Sequence, residues 1–261
     1  MNIELVLIGL IIGMFIGISG VGGGSIMTPV LILVLGINPL VAVGTDLLYS
    51  VPTKILAAFV HARQRTIEWR IVWALLWGGI PGVVAGVILL IAARHYFDFE
   101  TVTKLVKMCV GIALFICAAA LLLSLLLKRT AESSAEDPAF LVEAQGTRAK
   151  LIASGAGVGF LVAVTSVGSG AMTLPLLFLI VPFVGIRRLV GSDIVFAAFL
   201  IPAAALGHAT LGDVNYRVAL TLLAGSLPGA YIGSKLCNVL SEVWLRPMVA
   251  AVLIIAGSRL V

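Results

Sequence analysis

The sequence predicts an all-α polytopic membrane protein of two inverted-topology repeats, each a broken or re-entrant helical hairpin followed by three transmembrane helices. Three observations predict it. First, 61% of the residues are hydrophobic, only 11% are charged and the mean hydropathy is +1.19, too few polar side chains to cover a soluble 27.2 kDa globule. Second, apolar runs of about 20 residues recur, the length a helix needs to cross a bilayer. They lack the alternation of barrel strands, so helices are the way these spans satisfy their backbone in lipid. Third, a glycine loop between apolar stretches, Gly20-Val21-Gly22-Gly23-Gly24-Ser25, largely returns at Ser166-Val167-Gly168-Ser169-Gly170-Ala171.

The register of the repeat extends beyond the glycines. Gly13 and Gly159, Gly24 and Gly170, and Pro29 and Pro175 are each 146 residues apart. After one extra residue the spacing becomes 147, and there Gly44-Thr45-Asp46 meets Gly191-Ser192-Asp193, His61 meets His208, Arg70 meets Arg217, and Pro81-Gly82 meets Pro228-Gly229. The expected units are 1–127, the first transmembrane repeat; 128–150, a polar cytoplasmic linker; and 151–261, the second repeat.

In chain order, 3–19 and 26–35 flank the first glycine loop, and the second arm is too short to span roughly 30 Å at 1.5 Å per residue. A re-entrant or broken hairpin results. Segments 41–60, 71–93 and 102–127 read as full spans, the first interrupted near Gly44 and Pro52. Segments 151–167 and 172–181 make the second hairpin, followed by spans near 189–206, 218–234 and 243–261. Met1-Asn2-Ile3-Glu4 offers no basic leader region, so the first helix is expected to remain in the mature protein.

A hairpin returns the chain to the side it left, so each half crosses an odd number of times and the halves are inverted. One face then receives Arg63, Arg65, Arg70, Lys128, Arg129, Arg148, Lys150, Arg187, Arg188, Lys235 and Arg246; the other receives little beyond Arg94, Lys104, Arg217 and Arg259. By the positive-inside rule the first face is expected to be cytoplasmic and both termini external. Inverted repeats with broken helices characterise secondary transporters, whose sites lie at the repeat interface near the midplane.

If the hairpins enter from opposite faces, their glycine tips meet. There Gly22, Gly23 and Gly24, with Gly168, Ser169 and Gly170, can expose backbone N–H groups that a side chain would shield. The N-termini of two short helices, near Ser25 and Ala171, would point into the same space and favour an anion. Ser25, Thr28, Thr165, Ser166 and Ser169 add hydroxyl donors. The alternative is that the glycines only permit close helix packing.

Asp46 and Asp193 lie roughly 10 Å into their spans at 1.5 Å per residue. A charged carboxylate there would repel an anionic substrate, which leaves two roles: a protonatable coupling group, or an N-cap of a broken helix. Lys54, whose repeat mate is Ile201, either draws an anion toward the site or snorkels to the cytoplasmic interface. His61 and His208 can serve as gates, proton relays or interfacial caps. Arg70 and Arg217, beside Trp69 and Tyr216, are expected as interfacial anchors, and Trp73 and Trp77 as lipid or packing contacts. The two Pro-Gly pairs are either hinges or static packing points.

With these motifs in place, the chain resembles the TauE/SafE family of sulfite exporters over nearly its whole length. The resemblance rests on Gly20-Val21-Gly22-Gly23-Gly24 followed by Pro29, on Gly44-Thr45-Asp46, and on a looser second copy, Gly168-Ser169-Gly170 followed by Pro175. It implies a transporter in the cell (inner) membrane that moves a small sulfur-containing anion, sulfite or an organosulfonate, outward; the inverted repeat adds alternating access, and the aspartates add protons as a candidate coupling ion. The second loop departs from the first where Ser166 and Ser169 replace Gly20 and Gly23, so the two halves would contribute different donors.

Two other classes were weighed. A passive anion channel could use the same loop. An intramembrane serine protease would use Ser169 and His208, yet Val167 stands where its motif needs glycine, and the first copy has Gly23 where the serine would be. No cofactor, metal or nucleic-acid partner is expected. Cys109, Cys117 and Cys237 show no metal-ligand spacing, and the formal charge of +5 resides mostly in loops. The sequence leaves oligomeric state open.

Overall fold

The computed structural model describes residues 3–19, 23–126, 145–236 and 242–260. Gly20, Gly22, Cys237 and residues 128–144 of the expected linker lie outside the described residues. The described elements are all helical: α1 (Ile3–Ser19), α2 (Gly24–Leu33), α3 (Pro39–Arg63), α4 (Trp69–Tyr96), α5 (Phe99–Leu126), α6 (Gln145–Thr165), α7 (Thr173–Ile180), α8 (Ile186–Leu211), α9 (Tyr216–Leu236) and α10 (Glu242–Leu260). Five of them, α3, α4, α5, α6 and α8, are long and apolar enough to cross a membrane.

Both hairpins have the expected short second arm. At 1.5 Å per residue, ten-residue α2 is about 15 Å long and eight-residue α7 about 12 Å. The expected interruption of 41–60 does not occur: α3 runs 25 residues without a break. Its start is set by Asn38, whose side chain accepts the Leu40 N–H at 3.0 Å, with Pro39 at the first helical position. Pro52 is accommodated inside the helix, and Gly44 answers to packing rather than to a break, as its surroundings below show. Helix α8 is likewise continuous and ends at Gly212, which adopts the left-handed conformation (φ 78°) that suits glycine at a helix C-terminus.

Helix α9 forms over the expected span but is not among the five apolar ones; apart from Leu222 it buries small and hydroxyl residues, among them Thr221, Gly225, Ser226, Gly229, Gly233 and Ser234. These face α1. A Cβ on Gly9 or Gly13 would strike the backbone of Leu222 or Ser226, and one on Gly225, Gly229 or Gly233 would strike Val6, Leu10 or Met14. The same arrangement recurs between α4 and α6, where Gly78 and Gly82 meet the backbone of Ile152 and Ala156, and Gly155 and Gly159 meet Leu75 and Gly79. Pro81-Gly82 and Pro228-Gly229 therefore sit in close helix contacts, where small residues let backbones approach.

The two most extensive helix pairs are α1 with α9 and α4 with α6; α5 packs on α10, α3 on α8 and α9, and α4 on α8. Helices α3 and α8 are the interior pair, with 67% and 78% of their apolar windows buried, against 39–50% for the other three spans. Trp73 and Trp77 are exposed on the outside of α4. With Leu76, Ile80, Pro81 and Phe199 they line an apolar groove of about 450 Å³ that none of the buried polar residues described below enters.

Candidate functional site

The centre of the bundle is assembled from both hairpin tips and from α3 and α8. A Cβ at Gly24 would overlap the Ser166 carbonyl and come within 2.8 Å of its Oγ, so the tips touch and the glycine permits the contact. Ser166 itself holds a left-handed backbone (φ 59°), and Gly168 (φ 128°) and Gly170 (φ 91°) continue the turn. That bend aims the Ser166 hydroxyl at Asp46 of α3, to whose Oδ2 it donates a hydrogen bond at 2.5 Å; Thr28 of α2 donates to the same oxygen at 2.8 Å.

Asp46 and Asp193 consequently differ from the expected N-caps of broken spans. Both sit inside unbroken helices whose N-caps are Asn38 and Gly185, and both are fully buried. Each carboxylate instead approaches the short helix of its own half. Asp46 reaches Thr28, while Asp193 lies beside the Thr173 hydroxyl and the Gly170 N–H without a hydrogen bond of good geometry to either. The aspartates thus stand close to where the helix N-termini favour negative charge.

Several hydroxyls expected to be open donors are already engaged. Thr28 and Ser166 are held by Asp46, and Thr165 donates to Leu161 O at 2.7 Å while accepting the Val167 N–H at 3.1 Å. Thr173 closes the second tip by donating to Gly168 O at 3.2 Å. Gly23, Gly24, Ser25, Ser169 and Gly170 are all buried at the tips, and Gly22 lies outside the described residues.

Lys54 does not snorkel. It is 0% exposed, its ammonium makes no hydrogen bond, and the opposite charges acting on it are Asp193 and Asp46. The cause is the interior position of α3, which leaves its side chain no route to water. One face of that helix is polar through Asp46, Tyr49, Ser50, Thr53 and Lys54, three to four residues apart as one helical side requires. Thr53 pairs with Ser226 of α9 at 2.8 Å. Tyr49 and Ser50 are buried with hydroxyls that make no hydrogen bond of normal geometry, and both face Gly23: a Cβ there would lie 2.7 Å from the Tyr49 hydroxyl and 3.3 Å from Ser50 Oγ. Sequence reading passed over Tyr49 and Ser50, although the four-residue spacing of Asp46, Ser50 and Lys54 in an apolar helix is a visible signal.

His61 and His208 are buried near the C-terminal ends of α3 and α8. His61 Nδ1 lies 2.9 Å from Thr66 Oγ1, and His208 Nε2 lies 2.8 Å from the Ala163 carbonyl. Arg70 and Arg217 are exposed, as interfacial anchors would be.

The repeated Gly-[Thr/Ser]-Asp element also braces one half on the other. A Cβ at Gly44 would overlap Asp213 O, and one at Gly191 would overlap Thr66 O. Thr45 Oγ1 accepts the Asn215 N–H at 2.9 Å, and Ser192 Oγ accepts the Glu68 N–H at 2.8 Å. Arg94 of α4 ion-pairs with Asp213 and donates to Leu211 O at 2.8 Å, while Arg188 of α8 lies 3.5 Å from Glu68. Burial holds the Asp213 carboxyl above the usual carboxylate range, with Arg94 opposing it.

Comparison with known proteins places this architecture. The chain is 35% identical to the probable membrane transporter protein YjnA of Bacillus subtilis (strain 168) over 264 residues, covering 100% of each. It is 26% identical to the probable membrane transporter protein YdhB of the same organism, over 97% of each chain. Identity to the probable membrane transporter protein YunE, also of that organism, is 25%, over 98% of this chain and 96% of that one. No solved structure matches. The model of the family described as sulfite exporter TauE/SafE matches residues 5–260, and the chain accordingly belongs to the TauE/SafE family, whose members are membrane transporters and not enzymes.

Proposed function

We propose that this protein is a secondary transporter that exports sulfite or a small organosulfonate across the cell membrane by alternating access between two inverted repeats. The observation that carries the reading is the buried meeting point of two glycine-rich hairpin tips beside Lys54, an ammonium without a hydrogen-bonding partner. A buried ammonium that hydrogen-bonds to neither of its opposite charges, Asp193 and Asp46, is costly, and an anionic ligand that reaches it when those carboxyls are protonated would offset that cost. Backbone N–H groups of Gly23, Gly24, Gly168 and Gly170, with the Ser25 and Ser169 hydroxyls, supply the remaining donors.

The inverted repeat is supported by the way helix pairs exchange. Helix α1 packs on α9, and its repeat mate α6 packs on α4, the mate of α9; α3 with α8, and α5 with α10, are mates that pack on each other. Thr45 with Asn215 and Ser192 with Glu68 are likewise related by the 147-residue register. The site residues are buried, so the arrangement corresponds to a closed intermediate between two open ones. Asp46 and Asp193 serve as proton-accepting groups: when both are ionised they compete with the substrate for Lys54.

Reconstituted protein in liposomes tests the reading. Efflux of sulfite that saturates, and that stops when the two halves are cross-linked across Thr45 and Asn215, is the expected result. Flux that persists in the cross-linked protein favours an anion channel built on the same loop.

A further inference from the structure

The two interior helices differ where the repeat should make them alike. At the 147-residue register Tyr49, Ser50, Thr53 and Lys54 of α3 correspond to Phe196, Ala197, Leu200 and Ile201 of α8, while Asp46 and His61 keep their counterparts Asp193 and His208. The polar face is thus preserved at its two ends in both halves, and its middle survives in α3 alone. Phe196, Leu200 and Ile201 belong to the apolar core. Thr53 pairs with Ser226, which leaves Tyr49, Ser50 and Lys54 as three buried donor side chains without hydrogen bonds of normal geometry on one side of one helix; Ser50 lies beside Tyr49 and Asp46, and Asp46 Oδ1 and both Asp193 oxygens are likewise without a hydrogen bond of normal geometry.

Buried donors are as a rule paired, so three unpaired ones on one face mark the place of a ligand. The donors themselves set its sign, once Asp46 and Asp193 are protonated. Tyr49 and Ser50 face Gly23 at the first tip, where a side chain would crowd the Tyr49 hydroxyl, and Lys54 lies among Asp46, Asp193 and His61. An ammonium and two hydroxyls make a donor set for an acceptor-rich anion.

We propose that Tyr49, Ser50 and Lys54 are the side-chain ligands of the transported anion, held on α3 against the first glycine tip, and that the head group they take is the three-oxygen –SO₃ of sulfite or a sulfonate. This rests on the transport reading above and assigns the site's side-chain donors to one half. A carboxylate can accept as many hydrogen bonds but presents both oxygens in one plane, whereas the three oxygens of –SO₃ diverge in three directions, so selectivity would follow from shape. The tips supply backbone donors from both halves, whereas discrimination among anions comes from α3.

The test is equilibrium binding to purified full-length protein with sulfite, methanesulfonate and acetate as probes, read together with the melting temperature of each variant without ligand. Wild type should bind sulfite and methanesulfonate and bind acetate at least tenfold more weakly. Tyr49→Phe and Ser50→Ala, which each remove one oxygen, should weaken sulfite about tenfold with little change in unliganded melting temperature, and narrow the margin over acetate. Lys54→Met should abolish binding; should it fail to fold, the Tyr49 and Ser50 variants still decide. Sulfite affinity unchanged in both of these overturns the assignment while leaving the transport reading intact. Wild type that binds no sulfur oxyanion at all overturns the transport reading, and this assignment with it.

Discussion

Ser166, at the tip of the second hairpin, donates a hydrogen bond to Asp46 in the third helix of the first half. Through that bond a carboxylate that would repel an oxyanion stands at the meeting point of both hairpins, with Thr28 as its second donor. An anion bound at the tips, as proposed, would therefore be coupled by position to the carboxylate charge.

If Asp46 and Asp193 carry protons during transport, sulfite affinity should rise as pH falls, because neutral carboxyls release Lys54 to the substrate. Besides Lys54, the groups facing Asp46 are the hydroxyls of Tyr49, Ser50, Thr28 and Ser166, and Asp193 faces Thr173 and the Gly170 N–H. Asp46→Asn with Asp193→Asn should flatten that dependence; an unaltered pH profile in the double variant would assign the carboxylates to hydrogen bonding alone. Asp46→Ala has a separate consequence. It strands the hydroxyls of Thr28 and Ser166 and should destabilise the fold by about 1–3 kcal/mol, measurable by denaturation in detergent.

The glycine ladders make a stability prediction. Gly82→Ala would push a methyl into the Ala156 carbonyl, and Gly229→Ala one into Leu10, at a cost of about 1–3 kcal/mol or more each. Gly157, on the exposed face of α6, meets nothing within 4 Å, so Gly157→Ala should be neutral or gain about 0.5–1 kcal/mol from helix propensity. Comparing the three melting temperatures checks the packing; equal shifts would refute it.

Much of this fold is legible in the sequence because lipid imposes simple rules on it. Apolar length marks the spans at α4, α5 and α8, and the short arms α2 and α7 follow from too few residues to cross. The misreadings arise where tertiary packing overrides a local signal. Gly44 resembles a helix breaker but exists to admit the backbone of Asp213 from the other half. Lys54 resembles a snorkelling lysine because nothing local reveals that α3 lies inside the bundle. The Thr28 and Ser166 hydroxyls were legible as donors, but the carboxylate they would meet, 18 and 120 residues away, was not.

The cross-half ion pairs should differ in weight. Asp213 is almost wholly buried against Arg94, so Arg94→Ala should cost about 1–3 kcal/mol by leaving that carboxylate unpaired. Arg188 is 57% exposed, and Arg188→Ala should cost no more than about 1 kcal/mol. Urea denaturation of both variants at matched ionic strength decides; a larger loss at Arg188 would contradict the ranking.

The proposed orientation rests on the distribution of charge. Cysteine labelling in intact cells should find both termini external and residues 128–150 protected in the cytoplasm. Labelling that reverses this pattern removes the assigned orientation and leaves the helix packing as described.

The central claim, an oxyanion held where the two tips meet, is tested most directly by calorimetric titration of sulfite into purified wild type, Gly23→Val, Gly170→Val and Ser25→Ala. A side chain at Gly23 would crowd the Tyr49 hydroxyl and Ile16, and one at Gly170 would be forced into a left-handed backbone at φ 91°. Both valine variants should therefore lose binding, while Ser25→Ala, which removes one donor, should only weaken it. Wild-type affinity in both valine variants would contradict the account and leave these glycines as packing residues.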